Sequence, residues 1–437
     1  MRNFFILWAG QLVSSIGSKM SSFAIAIWAW EFTGKATTLT LVGFFSTLAS
    51  MASTPLSGVI VDRFNRKLLF IVGDTVALIA IIIIMMLYLA NNLQIWHLYL
   101  ISAIVSVFNQ LQFLAYSASV SLLIPKKHYT RASSLQFLLV YGSSIIAPAL
   151  SGYLYEVIGL LRIWLIDIST FAVAISSLLF VRIPKPPQTN EHENPGNIWQ
   201  DLKFGLRYIF ARKSLSALLA ITFLFQFAHD IGASLYSPMI LSRTGNDALV
   251  LGSLASAAGF GGITGAIIIS SWGGFKQKIK GFLLGMIGAG LSKIVFGLGR
   301  TAWIWIPSQF CSSLNFPFKG ASGQAIWLAK VAPSIQGRVF AINSLVLQFA
   351  SAFAYLIAGL LADKVFTPAL TEGGYLVGIF EGIFGTGTGA GIALLYVISA
   401  LCMFLIGIIG FYIPLLQNLE RILPDYDAES SQFSSSK

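Results

Sequence analysis

Twelve stretches of apolar residues, each long enough to cross a bilayer, fill this chain almost from end to end. A bilayer core takes about 20 consecutive apolar residues of helix. Hydrocarbon offers backbone groups no hydrogen-bond partner, so each stretch is constrained to be helical. The pattern predicts spans at residues 4–32, 37–61, 68–90, 96–124, 132–156, 160–182, 214–241, 248–271, 281–299, 302–330, 338–362 and 391–414. Composition agrees: 10% of residues are charged, against about 25% in a soluble domain. The fold class is an all-α membrane protein.

Most connections are short. The longest, residues 183–213, divides the spans six and six. The predicted organisation is an N-terminal bundle over 1–182, a linker over 183–213, a C-terminal bundle over 214–414 and a tail over 415–437. The linker opens with Pro184, Pro186 and Pro187 and reads as flexible and polar. It closes on an amphipathic run from Ile198 to Phe210, near Lys203, Arg207 and Arg212. Two readings stand for that run: a helix lying on the membrane surface, or an ordinary linker helix. The Ser-rich tail is expected to be disordered.

Lys and Arg placement sets orientation. Of the 28 basic residues, 20 fall on the face holding both termini and the linker, five on the other face, and three inside spans. Both termini are therefore expected in the cytoplasm, with the protein multi-pass in the inner membrane of a bacterial cell. The net charge of +11 reflects this bias; membrane lipids supply the counter-charge and no nucleic-acid partner is implied. The first span follows Met1-Arg2-Asn3 without a cleavage-site pattern and is expected to be an uncleaved helix. Cys311 and Cys402 both lie in spans and show no metal spacing. The sequence contains no Gly-x-x-x-x-Gly-Lys-Ser/Thr and no recognisable catalytic carboxylate pair or nucleophile elbow, so neither an enzyme nor an ATP-driven pump is expected. Gly385 to Gly391 is glycine-rich but has no strand before it, and reads as an external loop.

The two halves repeat. Arg131 and Arg338 each open a span after a Pro-containing turn, and Gly152 and Gly359 each stand 21 residues further on. The offset is near 207, consistent with a duplicated six-helix unit.

The loop after the second span reads Gly58-Val59-Ile60-Val61-Asp62-Arg63-Phe64-Asn65-Arg66-Lys67. It resembles the signature between helices 2 and 3 of the major facilitator superfamily. Asp62 is suited to capping a helix end and pairing with a basic residue on the neighbouring bundle, a contact made in one state and broken in the other. Gly58, Arg63, Arg66 and Lys67 belong to this conformational latch, with Asp74 as a further partner. The equivalent loop of the second half, from Trp272 to Lys278, keeps glycine and positive charge but has no Asp.

In the fifth span, Gly142, Ala147, Pro148 and Gly152 are similar to the fifth-helix motif of drug–proton antiporters in the same superfamily, with Ala147 where Gly is usual. A packing kink without bearing on direction of transport is the other reading. Segments Leu7-Trp8-Ala9-Gly10-Gln11, Trp28 to Gly34 and Gln324 to Ala341 resemble the branch holding macrolide-efflux permeases and a siderophore exporter. The resemblance covers essentially the whole chain. It implies two pseudo-symmetric six-helix bundles, helices 1, 4, 7 and 10 around a central cavity, and export driven by a proton gradient, with no other cofactor; it does not fix the substrate, which is expected to be a small amphipathic organic molecule. Uptake or facilitated diffusion on the same fold, and lipid flipping, stay open. A monomer is expected.

Ionisable residues inside a membrane are functional suspects. Lys19, His229 with Asp230, and Lys319 lie near the midpoints of spans 1, 7 and 10. Gln11, Ser15 and Lys19 share a helix face, as do Gln226 and Asp230; Asn109, Gln112 and Tyr116 add polarity to span 4. These residues are the candidate substrate cavity. Burial disfavours a bare carboxylate, so Asp230 is the leading proton carrier; a fixed ion pair with Lys19 or Lys319 is the competing reading. His229 reads as a hydrogen-bonded helix residue or a relay. Glu31 reads as an interfacial anchor or a second acid for coupling. Asp167 and Arg162 are expected to pair locally, and Lys293 to snorkel outward.

Orientation is testable by tagging. Single cysteines at Asn190, Lys278 and Ser430 should react with impermeant maleimide only from the cytoplasm, and cysteines at Lys35 and Tyr375 only from outside. Labelling of position 190 from outside overturns the topology.

Overall fold

The computed structural model describes residues 2–123, 135, 139, 142–180, 198–332 and 335–422. Every regular element among them is helical. The long elements are α1 (Arg2–Thr33), α2 (Ala36–Arg63), α3 (Arg66–Leu89), α4 (Ile95–Leu123), α5 (Ser143–Phe180), α6 (Ile198–Ala211), α7 (Lys213–Thr244), α8 (Ala248–Trp272), α9 (Lys278–Leu298), α10 (Ala302–Lys330) and α11 (Gln336–Leu361). A π-helical turn (Ala362–Phe366) carries α11 into α12 (Thr367–Leu370). Then follow α13 (Val377–Phe384), α14 (Thr388–Tyr412), α15 (Pro414–Gln417) and α16 (Leu419–Ile422).

Ten of the helices are long and apolar enough by composition alone to cross a membrane. Two further crossings complete the twelve. One is α10, whose Pro307, Pro317, Lys319 and serines lower its hydropathy. The other comes from α5, which holds two spans in one element broken at Gly159 (φ 76°, ψ 171°). A side chain disfavours that backbone region, so glycine there permits the reversal. The start of the expected span 132–156 falls partly outside the described residues.

In the first half α1 packs on α5, α2 on α4, and α3 on both α4 and α5. In the second, α9 and α8 pack on α10, and α14 packs on α7 and α9. The halves meet through α5 on α8 and α11 on α2. Both crossings rest on absent side chains. A Cβ on Gly152 would sit 2.5 Å from the Ala248 carbonyl oxygen, and one on Gly252 would sit 2.5 Å from that of Pro148. A Cβ on Gly359 would sit 2.1 Å from Thr40 Oγ1. Gly152 and Gly359 are the pair related by the internal repeat, and both act at the end of the bundle opposite the termini.

That end is sealed. One buried cluster joins the halves there, with Ile27, Trp30 and Ala36 against Leu241, Ala248, Leu251 and Ala358. The Asp363 carboxylate accepts from the Ala36 and Thr37 amides (3.0 and 2.8 Å), capping α2 from the other half. Trp30 Nε1 donates to Asn246 Oδ1 (2.9 Å), and the Tyr155 hydroxyl donates to Glu31 (2.7 Å). Toward the termini α2 and α11 instead flank an apolar cavity of about 700 Å³, with Pro55 and Leu56 facing Leu345 and Phe349.

The amphipathic run forms α6. Its Asp201 pairs with Arg338 Nε at 2.9 Å, and Gly205 lies so close that a Cβ would fall 2.6 Å from the Arg338 carbonyl oxygen. Trp199 and Leu202 border the apolar cavity between α2 and α11.

The glycine-rich segment near residue 385 is only partly the loop expected. Gly385 and Gly387 turn the chain with φ of 79° and 101°. Gly389 and Gly391 instead begin α14, where Gly391 allows close approach to the Phe366 carbonyl.

Adding bulk at the two crossings should unseat the halves, since overpacking costs about 1–3 kcal/mol per site. Gly152→Leu and Gly359→Leu should each lower the thermal unfolding midpoint of the purified protein. Gly378→Leu, in α13 with open space around it, should leave it unchanged.

Candidate functional site

Each half encloses a polar cavity. In the first, Gln11, Ser15 and Lys19 of α1 line a space of about 410 Å³ together with Asn109, Gln112 and Tyr116 of α4. All six expected cavity residues of this half therefore meet. α3 adds an acid that the sequence reading placed with the latch: Asp74 is buried and also lines the cavity. Its carboxylate accepts from Gln112 Nε2 (2.6 Å) and Gln11 Nε2 (3.1 Å). The pairing has a physical reason: a carboxylate this deep in an apolar bundle requires donors, and α3 lies within reach of the polar faces of α1 and α4.

Lys19 Nζ donates to Ser143 Oγ (2.8 Å) and Ser144 Oγ (2.6 Å). These serines follow Gly142 at the start of the antiporter-like motif, so the motif touches the cavity at one end and α8 at the other. Pro148 stands inside the helix, and Gly142 and Ala147 are buried.

In the second half Asp230 is buried on α7. It accepts from Gln226 Nε2 (2.9 Å), lies 2.8 Å from His229 Nδ1, and accepts from the Ser351 hydroxyl of α11. Among the described residues no ion pair joins Asp230 to a lysine, so the competing reading of a fixed pair with Lys19 or Lys319 is not what forms. Lys319 Nζ lies 4.5 Å above the Phe225 ring. His229 is a hydrogen-bonded partner of Asp230. Its ring meets Phe316 edge-on at 4.9 Å.

Other placements differ from expectation. Lys293 does not snorkel: it is 6% exposed, donates to the Tyr396 hydroxyl at 3.3 Å, and borders a cavity of about 390 Å³ with His229, Tyr236, Gln309 and Ser312. Glycines along α9 bring α10 and α14 close around it. Asp167 forms no ion pair with Arg162 among the described residues; it accepts from Ser18 at 3.4 Å, while Arg162 is exposed. Glu31 is exposed at the sealed end and held by Tyr155.

The side chains of Asp62 and Arg63 lie outside the described residues, and with them the pairing expected of the latch; Gly58 stands within α2. At its other end Asn65 caps α3 by accepting from the Lys67 amide (3.0 Å), and Lys67 Nζ donates to the Leu179 carbonyl (3.3 Å). Arg66 is partly buried.

Sequence reasoning missed Ser351, which gives no signal as one hydroxyl on an apolar helix. It could have found Gln309, Ser312 and Ser313, which share a polar face at i, i+3 and i+4 on α10.

Known proteins give a consistent picture. The sequence profile of the Major Facilitator Superfamily matches residues 7–355. Macrolide efflux protein A of Streptococcus pyogenes is 26% identical over 365 residues, covering 83% of this chain and 90% of that protein. Macrolide efflux protein A of Enterococcus faecalis is 25% identical over 315 residues, covering 71% and 96%. Among solved structures, a POT family transporter in complex with a thioalcohol-conjugated peptide superposes with a TM-score of 0.69 at 15% identity, covering 95% of this chain and 96% of that one.

Removing the Asp74 carboxyl leaves two partly buried amides, of Gln11 and Gln112, without this acceptor, at a cost of up to about 1–3 kcal/mol. Asp74→Leu should lower the unfolding midpoint, and Asp74→Asn should lower it less, because amide flips restore pairing.

Proposed function

The chain belongs to the Major Facilitator Superfamily, and on that premise we propose that it is a proton-coupled secondary transporter exporting a small amphipathic organic molecule by alternating access. The basic-residue bias supports termini in the cytoplasm, which makes the sealed end the outer one and the structure inward-open. The macrolide efflux relatives support export. The proton gradient is the energy source in this reading, and protons, lipids and the transported molecule are the only partners it requires.

One observation carries the coupling: Asp230 joins α7 to α11 through Ser351. Ser351 stands about two helical turns before Gly359, the residue that seats α11 on α2 at the sealed end. An ionised Asp230 accepts three hydrogen bonds. Once protonated, it gains a donor and loses acceptor capacity, so these bonds rearrange. Proton exchange at Asp230 thus biases the position of α11, and with it the outer seal. The Asp62 latch biases the opposite end in the same account.

Inside-out vesicles with an imposed pH gradient test this, with macrolides and amphipathic aryl acids as probes. Asp230→Asn should abolish uphill accumulation while retaining exchange of bound compound. Full gradient-driven accumulation in Asp230→Asn removes it as the carrier and moves attention to Glu31. Asp62→Asn should insert normally and slow turnover; unchanged turnover would show the loop to be without function here.

A further inference from the structure

The second-half cavity presents polar groups that have no partner among the described residues. Among the described residues, the buried Tyr236 hydroxyl, Ser312 Oγ and Gln309 Oε1 have no hydrogen-bond partner, and all three residues line the same space as Lys293. Ser312 is 1% exposed and Lys293 6%. Buried polar groups are ordinarily paired, so several orphans converging on one cavity mark a place for a ligand.

The charge of that ligand follows from which groups face the space. The Asp230 carboxylate is taken up by Gln226, His229 and Ser351, and Asp230 is not among the residues that line the cavity. Lys293 does line it, and its ammonium donates to one neutral hydroxyl, that of Tyr396, at 3.3 Å. Lys319 adds a second cation beside Phe225. The space therefore offers an ammonium and the O–H donors of Tyr236 and Ser312; the Asp230 charge acts on both Lys293 and Lys319 through space, so one carboxylate stands against two ammonium groups and positive charge is in excess. Buried charge requires a counter-charge.

The body of the ligand follows from the adjoining space. Ser313 and Phe316 border both this cavity and a second one of about 550 Å³ between α8 and α10. The second space is walled by small and apolar residues, Ala258, Gly262, Ala266 and Pro317 among them. Resting on the transport reading above, we propose that the transported compound is an amphipathic organic anion. Its acidic group is held by Lys293, Tyr236 and Ser312, and its apolar body lies between α8 and α10.

Equilibrium binding to the purified full-length protein tests this without any gradient, so failure of coupling would not affect it. The probes are 1-pyrenebutyrate, its methyl ester and 1-pyrenebutylamine, identical in their aromatic body. The carboxylate should bind saturably and at least tenfold more tightly than the other two. Lys293→Gln should remove that preference, Lys293→Arg should keep it, and Ser312→Ala should weaken carboxylate binding several-fold. Should Lys293→Gln not fold, Ser312→Ala and Tyr236→Phe carry the same comparison. Equal affinity for the three probes, tighter binding of the amine, or no saturable carboxylate binding overturns the proposal. Displacement of the carboxylate by phosphatidylglycerol would assign the site to lipid and also overturn it.

Discussion

The close crossings of α5 on α8 and of α11 on α2 decide where this protein is shut and where its cavities lie. Helices in lipid gain little from burying apolar surface against one another, so contact depends on small residues that let backbones approach. Gly152 and Gly252 do this at one crossing and Gly359 at the other. The seal is then reinforced by polar bonds that bridge the halves, above all the Asp363 carboxylate on the N-terminus of α2. With the halves pinned at this end, the same helix pairs part toward the termini around an apolar cavity.

The buried charges are arranged around that frame. Asp74 is held by two glutamines within the first half. Asp230 is held by one glutamine, a histidine and a serine that belongs to α11. The difference matters: among the described residues Asp74 is tied only to helices of its own bundle, whereas Asp230 is tied to a helix that takes part in the seal. Among the described residues no lysine forms a direct ion pair with either acid, and Asp230 acts on Lys293 and Lys319 together through space. Lys19 bonds the serines of α5, and Lys293 and Lys319 lie against aromatic rings. That leaves positive charge facing the polar cavity of the second half.

Helix positions were legible because hydrocarbon permits little else: the boundaries of α1 to α4 and of α7 to α11 fall within three residues of those read from apolar runs. The repeat offset also had structural meaning, since Gly152 and Gly359 occupy equivalent crossings. The cavity face of α1 and α4 was readable from polar residues at helical spacing. Side-chain pairing was not. Asp74 stands close in sequence to the latch loop, yet the helix carries it two turns away from that loop and into the cavity. Lys293 has a stem long enough to snorkel, but glycines around it bring neighbouring helices too close. Asp363 lay beyond the predicted end of its span, and only the continuation of α11 through a π-helical turn brings it over α2. Such contacts depend on helix rotation and tertiary approach, which periodicity leaves undetermined.

The claim that proton exchange moves the protein between two closures is tested most directly by distances measured at both ends. Spin labels on cysteines replacing Lys35 and Lys364 report the sealed end, and labels replacing Phe64 and Lys276 report the other, in a background lacking Cys311 and Cys402. Electron–electron resonance across a range of pH should show the two distances changing in opposite directions, and Asp230→Asn should hold both at one value. Distances that change together, or an Asp230→Asn protein that responds to pH as the parent does, would contradict the account.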